Sequence, residues 1–263
     1  MATQQEQANG KIVLVTGSSR GIGFAIAKKL LSDGYQVILN GSNNTPLQEV
    51  RQELAKQYPN IDALSANVAD EHSVAQLFVE IEKKYKRLDV LVNNAGISPR
   101  VNGNKSNVEE PPTEHWLKTI AINLTGAFFV SRAAIALLKR SQFGRVIQIA
   151  SHAGQTNTGF ASAHYASSKA GLIGFSRVLA GELGPLGITV NCVSPGKIQT
   201  QMASTYQNAA AFEQIYIERT PMKRIGQVDD VVGAVSFLAS EQAGFITGAV
   251  IDITGEFLCH ELG

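Results

Sequence analysis

Two hydrophobic periods take turns along this chain. Short apolar runs bounded by turn residues alternate with longer stretches whose apolar residues recur every three to four positions, the pattern of buried strands followed by helices. Ile12 to Val15 is the first run, and a helical pattern begins near Ile22 and continues to about Asp33, where Gly34 marks a stop. Gln36 to Asn40 reads as a second buried strand, followed by a helix from Pro46 to Tyr58 and a strand from Ala63 to Ser65. A helix from Glu71 to Tyr85 and a strand from Leu88 to Val92 repeat the unit. Beyond them come a long helix from Thr113 to Lys139, a strand from Arg145 to Ala150, a helix from Ala163 to Leu183 and a strand from Thr189 to Val193.

Strands that alternate with helices in this way imply a parallel sheet covered on both faces, an α/β, doubly wound fold of the Rossmann type. Ligands of such sheets bind beyond the carboxyl ends of the strands, which gathers the segments after Val15, Leu39, Val92, Ala150 and Val193 into one crevice. Two stretches break the rhythm. Ser98 to Pro112 is polar and long for a connection, and Gly196 to Pro221 holds a short helical pattern, Met202 to Glu218, between loop-like ends. Residues 197–219 are read as a substrate lid that opens for substrate and closes to exclude water.

At 263 residues and 44% hydrophobic, the chain is long enough for one large core, so a single domain over 10–263 is expected, with residues 1–9 as a loose tail. A net charge of +1 with interspersed signs leaves no electrostatic footprint for nucleic acid or an acidic membrane, so the partner is expected to be a small molecule. No apolar run is read as reaching membrane-spanning length, and the polar N-terminus is not a secretory signal. Cys192 and Cys259 lie far apart without metal-ligand spacing, so no metal is expected, and a reducing cytoplasm fits.

Thr16-Gly-Ser-Ser-Arg-Gly-Ile-Gly23 sits where the first strand hands over to the first helix. Gly17 can take the positive φ of a sharp turn, Gly21 lets phosphates approach the backbone, and Gly23 permits tight helix packing, with an anion resting on the helix N-terminus. Tyr165 and Lys169 are four apart on a predicted helix and share a face, so an ammonium can stand beside the phenol. That cation favours phenolate and moves the tyrosine from its reference of about 10 toward working pH, as general acid–base chemistry needs. Ser151 follows a buried strand, so its hydroxyl emerges at the carboxyl edge.

Together with Asn93-Asn-Ala-Gly96, Asn123 and Pro195-Gly196, these motifs resemble the short-chain dehydrogenase/reductase family from Lys11 to about Gly255. The resemblance implies that Tyr165 gives or takes the proton, Ser151 orients the carbonyl, Lys169 holds the nicotinamide ribose and tunes the tyrosine, and Asn123 supports a water relay. It also implies cofactor contacts at Gly17, Ser19, Arg20, Gly21, Ile22, Gly23, Ser42, Asn67, Val68, Asn93, Ala95, Gly96, Tyr165, Lys169, Pro195, Gly196, Ile198 and Thr200. The end of the second strand reads Asn40-Gly-Ser-Asn43 without a carboxylate, and Arg20 can reach a 2′-phosphate, which favours NADP(H) over NAD(H).

Within the family, Lys169-Ala-Gly-Leu-Ile-Gly-Phe175 and Arg219-Thr-Pro-Met-Lys-Arg-Ile-Gly226 are most similar to the 3-oxoacyl-(acyl-carrier-protein) reductases. Gln142 and Leu186 stand where basic docking residues are looked for, and Ser98 to Pro112 is longer than usual. The polar segment His152 to Thr158 suits a hydroxylated carbonyl, so a sugar or polyol dehydrogenase is the alternative, and a nucleotide-binding scaffold is the non-enzymatic one. His152 reads as a solvated loop residue at least as readily as a substrate contact, and His164 as part of a helix start. Trp116 and Phe128-Phe129 read as core or subunit-packing residues. A homotetramer is expected, with the two long helices forming one interface.

Overall fold

The computed structural model of the chain describes residues 10–101, 103–200 and 209–256. Among them, β1 (Ile12–Val15), β2 (Gln36–Gly41), β3 (Ile61–Ser65), β4 (Val90–Asn93), β5 (Arg145–Ile149), β6 (Thr189–Pro195) and β7 (Val250–Ile253) form one sheet in the order 3-2-1-4-5-6-7. Every neighbouring pair is parallel, for example Val13 beside Val37 on one side and Val90 on the other. Strand order reverses between β1 and β4, and the crevice there is the natural ligand site of a doubly wound sheet.

Helices α1 (Gly21–Ser32), α2 (Asn44–Ala55), α3 (Glu71–Tyr85), α4 (Thr113–Ile120), α5 (Gly126–Leu138), α6 (Ala163–Leu183), α7 (Ala209–Arg219) and α8 (Val228–Leu238) are the α-helices among the described residues. Alternation along β1 separates two cores. Val13 and Val15 pack with Ile26 and Leu30 of α1 and Val231 and Val235 of α8. Ile12 and Leu14 pack with Val74 and Ile81 of α3, Val130 and Leu137 of α5, and Leu179 of α6. A parallel sheet buried on both faces explains why its strands read as unbroken apolar runs.

Several boundaries move. The second helix starts at Asn44 rather than Pro46, because the Asn43 side chain caps it by accepting from the Thr45 amide at 3.2 Å. Helix α8 was absent from the sequence reading, although Gln227 and Asp230 form a reciprocal capping box at its start. The lid helix is found at Ala209–Arg219, and residues 201–208 of the expected Met202 to Glu218 stretch lie outside the described residues. So do the tail 1–9 and Cys259, whereas Cys192 is a buried free thiol.

The long helix expected from Thr113 is two helices joined by a π-helical turn at Ala121–Thr125. The whole stretch, Thr113–Leu138, is 26 residues and by length and composition apolar enough to cross a membrane, which corrects the expectation that no run reaches that length. In the fold its Val130, Ala134, Leu137 and Leu138 lie in the sheet core, and Asn123 and Ser131 are buried with polar partners. One face of the stretch thus packs in the core, while Trp116, Leu117 and Phe128 on it stay exposed.

Candidate active site

The glycine turn is built by two neighbours. Thr16 Oγ1 accepts from the amides of Asn94 at 3.0 Å and Ala95 at 3.1 Å, which ties the end of β1 to the end of β4. The Asn94 side chain donates to the carbonyls of Thr16 at 2.9 Å and Gly17 at 3.0 Å, satisfying turn carbonyls that would otherwise be buried and unpaired. Gly17 has φ +63°, and a Cβ there would lie 2.8 Å from the Ala95 backbone, so no other residue fits. Gly21 also has positive φ, +59°, but a Cβ there would meet nothing within 4 Å. A half-buried residue at the start of α1, it has open space where a side chain would be.

That helix start is bare. Arg20 occupies the N-cap without a side-chain capping bond, and no acidic residue stands in the first turn. The N-terminal amides and the positive end of the helix dipole therefore suit an anion, as a dinucleotide's phosphates require. Ser18 exchanges hydrogen bonds with Asn40, its Oγ accepting from the Asn40 amide at 2.9 Å, which brings the turn against the end of β2. Ser19, Arg20 and Ser42 thus share one edge, while Ile22 packs at the margin of the core. Asn67 is an exposed turn residue whose Oδ1 accepts from the Ala69 amide, and Val68 is buried against Gly126.

Asn93 continues the β4 alternation into the opposite face, where its side chain donates to Ser131 Oγ at 2.9 Å and lies near the Ala127 carbonyl. The Asn94 side chain organises the turn, whereas the Asn93 amide nitrogen is engaged at α5. Strand parity decides which of two adjacent asparagines faces the turn.

Ser151, Tyr165 and Lys169 come together beyond β5. Ser151 is in extended backbone and its Oγ accepts from the Ala153 amide at 3.3 Å, starting a single 3₁₀ turn, His152–Gly154. Gly154 lets that turn lie on α6, because a Cβ there would sit 2.7 Å from the Lys169 carbonyl carbon. Lys169 is buried, and its Nζ donates to the Ile149 carbonyl at 2.7 Å and stands 5.8 Å from the centre of the Tyr165 ring. Burial pulls the ammonium down to about 8, with the neighbouring Cys192 opposing. Asn123 is 1% exposed: its Oδ1 accepts from the Ile97 amide at 2.8 Å, and its Nδ2 donates to the Ile97 carbonyl at 2.9 Å and to Ser168 Oγ at 3.1 Å. The π-helical turn aims it there, and such turns recur at functional sites.

On the far side, Gly196 is pinned to β7 through the Ile253 carbonyl, and the Lys197 amide donates to the Tyr216 hydroxyl at 2.8 Å. Pro195 ends β6, Ile198 is buried and bridges Gly226, and Thr200 is half-buried at the last described position before α7. A cavity of about 230 Å³ opens between these segments, lined by Ser151, Tyr165, Gly196 and residues of the 98–112 loop and α7. His152, left open between a solvated loop residue and a substrate contact, also lines it half-buried, and burial lowers its proton affinity against the influence of Asp252. Sequence reasoning gave Asn94, within the Asn93 to Gly96 motif, and Tyr216, within the lid, no individual role and left Arg100 out; the extra length of the 98–112 loop was the one signal for Arg100.

A family model described as enoyl-(acyl carrier protein) reductase matches residues 17–255. A 3-oxoacyl-(acyl-carrier-protein) reductase of Aquifex aeolicus is 38% identical over 248 residues, 94% of this chain and 96% of that protein. The chain belongs to the short-chain dehydrogenase/reductase family. It is an NAD(P)-dependent oxidoreductase of the carbonyl and alcohol class, similar to the 3-oxoacyl reductases. Solved structures of family members superpose closely. A chain from Agrobacterium tumefaciens provisionally named a gluconate dehydrogenase gives a TM-score of 0.89 at 29% identity, covering 96% of this chain and 98% of the other. A 3-oxoacyl-(acyl-carrier-protein) reductase with bound NAD from Brucella melitensis gives 0.84 at 31% identity, covering 97% and 95%.

Proposed function

We propose that this protein reduces a small carbonyl compound, or oxidises the matching secondary alcohol, in the crevice formed by Ser151, Tyr165 and Lys169. The observation that carries this reading is the buried Lys169 ammonium placed beside the Tyr165 ring at the carboxyl edge of the sheet. A bound nicotinamide would supply or accept the hydride. Gly17, Ser19, Arg20, Gly21, Ile22 and Gly23 would hold its phosphates and adenosine end with Ser42, Asn67 and Val68, and Ala95, Gly96, Pro195, Gly196, Ile198 and Thr200 would line the rest of its path. The open backbone at Gly21 and the bare start of α1 fit such a group.

In reduction, Tyr165 delivers its phenolic proton to the carbonyl oxygen, and Ser151 donates a hydrogen bond that fixes the same oxygen. The Lys169 ammonium favours the phenolate left behind and would hold the cofactor's nicotinamide ribose when it is bound. Asn123 is a positioning residue in this scheme: its amide is engaged by Ile97 and Ser168, so it fixes the strand-end segment beside Gly96, and its support for a water chain comes through the main chain of the π-helical turn. Residues 197–219 serve as the substrate-covering segment, with Tyr216 as its fixed end.

The cofactor is proposed to be NADP(H). No carboxylate stands among Asn40, Gly41, Ser42 and Asn43 to bind a ribose 2′-hydroxyl or repel a 2′-phosphate, and exposed Arg20 is within the same edge. Arg20→Ala is expected to narrow the preference for NADPH over NADH by about tenfold, the scale of one charge-assisted hydrogen bond. Initial rates with both cofactors across a panel of ketones, 3-oxo esters and ketoses check this, and equal catalytic efficiency in the unmodified protein would exclude it.

We also propose a cytoplasmic homotetramer. Trp116, Leu117, Phe128 and Val178 are exposed on α4, α5 and α6, more apolar surface than a lone helix layer needs. Sedimentation should give about four times the 28.1 kDa chain mass, and a stable species of chain mass at micromolar concentration would rule the assembly out. Polar residues among the lining, Ser98, Asn104, His152 and Thr158, support a second reading, a hydroxylated sugar-like substrate in place of a plain acyl chain.

A further inference from the structure

The first turn of α6 carries the reacting tyrosine, yet nothing on the helix itself holds that turn. Ser162 is the N-cap without a side-chain capping bond, no acidic residue stands in the first turn, and Tyr165 is the third helical residue. An uncapped start frays, so a general acid placed on it needs another restraint. Two tertiary contacts supply one. Ser162 Oγ accepts from the amide and the hydroxyl of buried Ser106 at 3.0 and 3.2 Å, which fixes the N-cap to the 98–112 loop. The second contact is made by His164, the residue before Tyr165, which is 1% exposed.

His164 reaches α4. Its Nδ1 lies 3.3 Å from Thr119 Oγ1, and the Thr119 hydroxyl donates its one proton to the His115 carbonyl at 2.6 Å. Toward the imidazole Thr119 therefore only accepts, which requires a hydrogen on His164 Nδ1. In the neutral ring this leaves Nε2 as an acceptor, buried, with no hydrogen-bond partner among the described residues. A second proton would sit on that nitrogen, where no described group accepts from it.

The groups that face the ring add to the cost. His115 of α4 stands edge-on with ring centres 6.3 Å apart, Arg100 acts on it from the 98–112 loop, and α6 presents the positive end of its own dipole. No described carboxylate opposes them, and burial acts in the same direction, so the proton affinity of His164 is held below the ordinary 6.5. The other elements packed on α6 do not offset this. The π-helical turn carries no titratable side chain, Cys192 of β6 acts on Lys169, and His152 of the 3₁₀ turn feels Asp252.

We propose that His164 is a positioning residue for Tyr165: as the neutral Nδ1–H imidazole it ties the first turn of α6 to α4 through Thr119, and its protonation releases that turn and sets the acid limit of the reaction. An imidazolium still donates from Nδ1, but the unpaired Nε2–H and the like charges around it drive the ring toward water. The proposal rests on the carbonyl-reductase reading for the reaction it limits, and not for the contact itself. In the reductive direction Tyr165 is no source of an acid limit, since acid keeps the phenol protonated and ready to donate.

Three measurements on the full chain test it. In the reductive direction with saturating cofactor, the ratio of kcat at about pH 5.5 to kcat at about pH 8 should be at least about threefold higher in His164→Asn, which keeps a donor and does not titrate. Thr119→Val should lose kcat by about tenfold with little change in the cofactor KM, and Thr119→Ser should recover most of it. An acid limit that moves in His152→Gln and not in His164→Asn, or an unimpaired kcat in Thr119→Val, would overturn the proposal. The second measurement is the denaturant midpoint of the cofactor-free proteins. Between the lowered value of His164 and 6.5 the unfolded chain holds more protons at this position, so it makes stability fall as pH falls through 6.5. The stability difference between His164→Asn and its parent should therefore shift in favour of the variant as pH is lowered, and a difference independent of pH would overturn the proposal. The third needs no variant to fold: nitrogen-15 shifts of the histidine rings in the unmodified protein at neutral pH should show His164 as the Nδ1–H tautomer, and an Nε2–H or charged ring would overturn it. If no carbonyl is turned over, the reductase reading fails, and the second and third measurements decide whether neutral His164 ties α6 to α4.

Discussion

Tyr165→Phe is expected to fold normally, to bind cofactor nearly as the unmodified protein does, and to lose turnover by about 10²- to 10⁴-fold, the range of general acid–base catalysis. The ring still fills its place on α6 above the Ser151 turn, so packing is preserved while the proton is gone. Steady-state rates and a cofactor titration on the same preparation check both halves. Near-normal turnover in a folded variant would remove Tyr165 from the chemistry. Equal loss of cofactor binding and turnover would make it a structural residue.

Lys169→Met should separate stability from activity. In the fold the ammonium is brought down to about 8 from its ordinary 10.5, by burial above all. Between those values the unfolded chain holds more protons at this position than the folded one, so the group makes stability rise with pH there. Below about 8 it weighs against folding by a constant amount, on the order of 3 kcal/mol. Removing it loses the hydrogen bond to the Ile149 carbonyl, so the net gain at pH 7 should be about 1 to 3 kcal/mol, shrinking as pH approaches 10.5. Turnover should fall at least about 10²-fold, the trade expected where a buried charge is kept for function. Denaturant midpoints of the cofactor-free proteins at several pH values check the sign, and a variant less stable than its parent at pH 7 with the same pH slope would contradict it.

The strands, the glycine turn and the Tyr165–Lys169 spacing are legible in the sequence because each is a local pattern. Apolar runs mark buried parallel strands, and a four-residue offset marks one helix face. What escaped depends on pairing between distant segments. The π-helical turn at Ala121–Thr125 inserts no breaker residue, and the reason for it is Ile97, whose backbone Asn123 engages across the crevice. The choice of Asn94 over Asn93 is a matter of strand parity at the end of β4, and a shift of one residue reverses it. Helix α8 was readable from Gln227, Asp230 and the apolar positions Val231, Val232, Val235 and Leu238, but the pattern follows directly on the Arg219 to Gly226 segment that had been read only as a motif. Arg100, Lys197 and Tyr216 carry no signature of their own. Their meaning comes from the cavity that three separate segments enclose.

The central claim is direct hydride exchange between a nicotinamide and a carbonyl in the Ser151–Tyr165–Lys169 crevice, and isotope tracing tests it most directly. Protein incubated with NADPH or NADH carrying deuterium at the reactive ring carbon, on either face, and with the carbonyl panel should place one deuterium on the carbinol carbon of a product from one labelled face only. Tyr165→Phe should slow that transfer by about 10²-fold or more. Absence of label in every carbinol, or transfer at an undiminished rate in the Tyr165→Phe protein, would contradict the account.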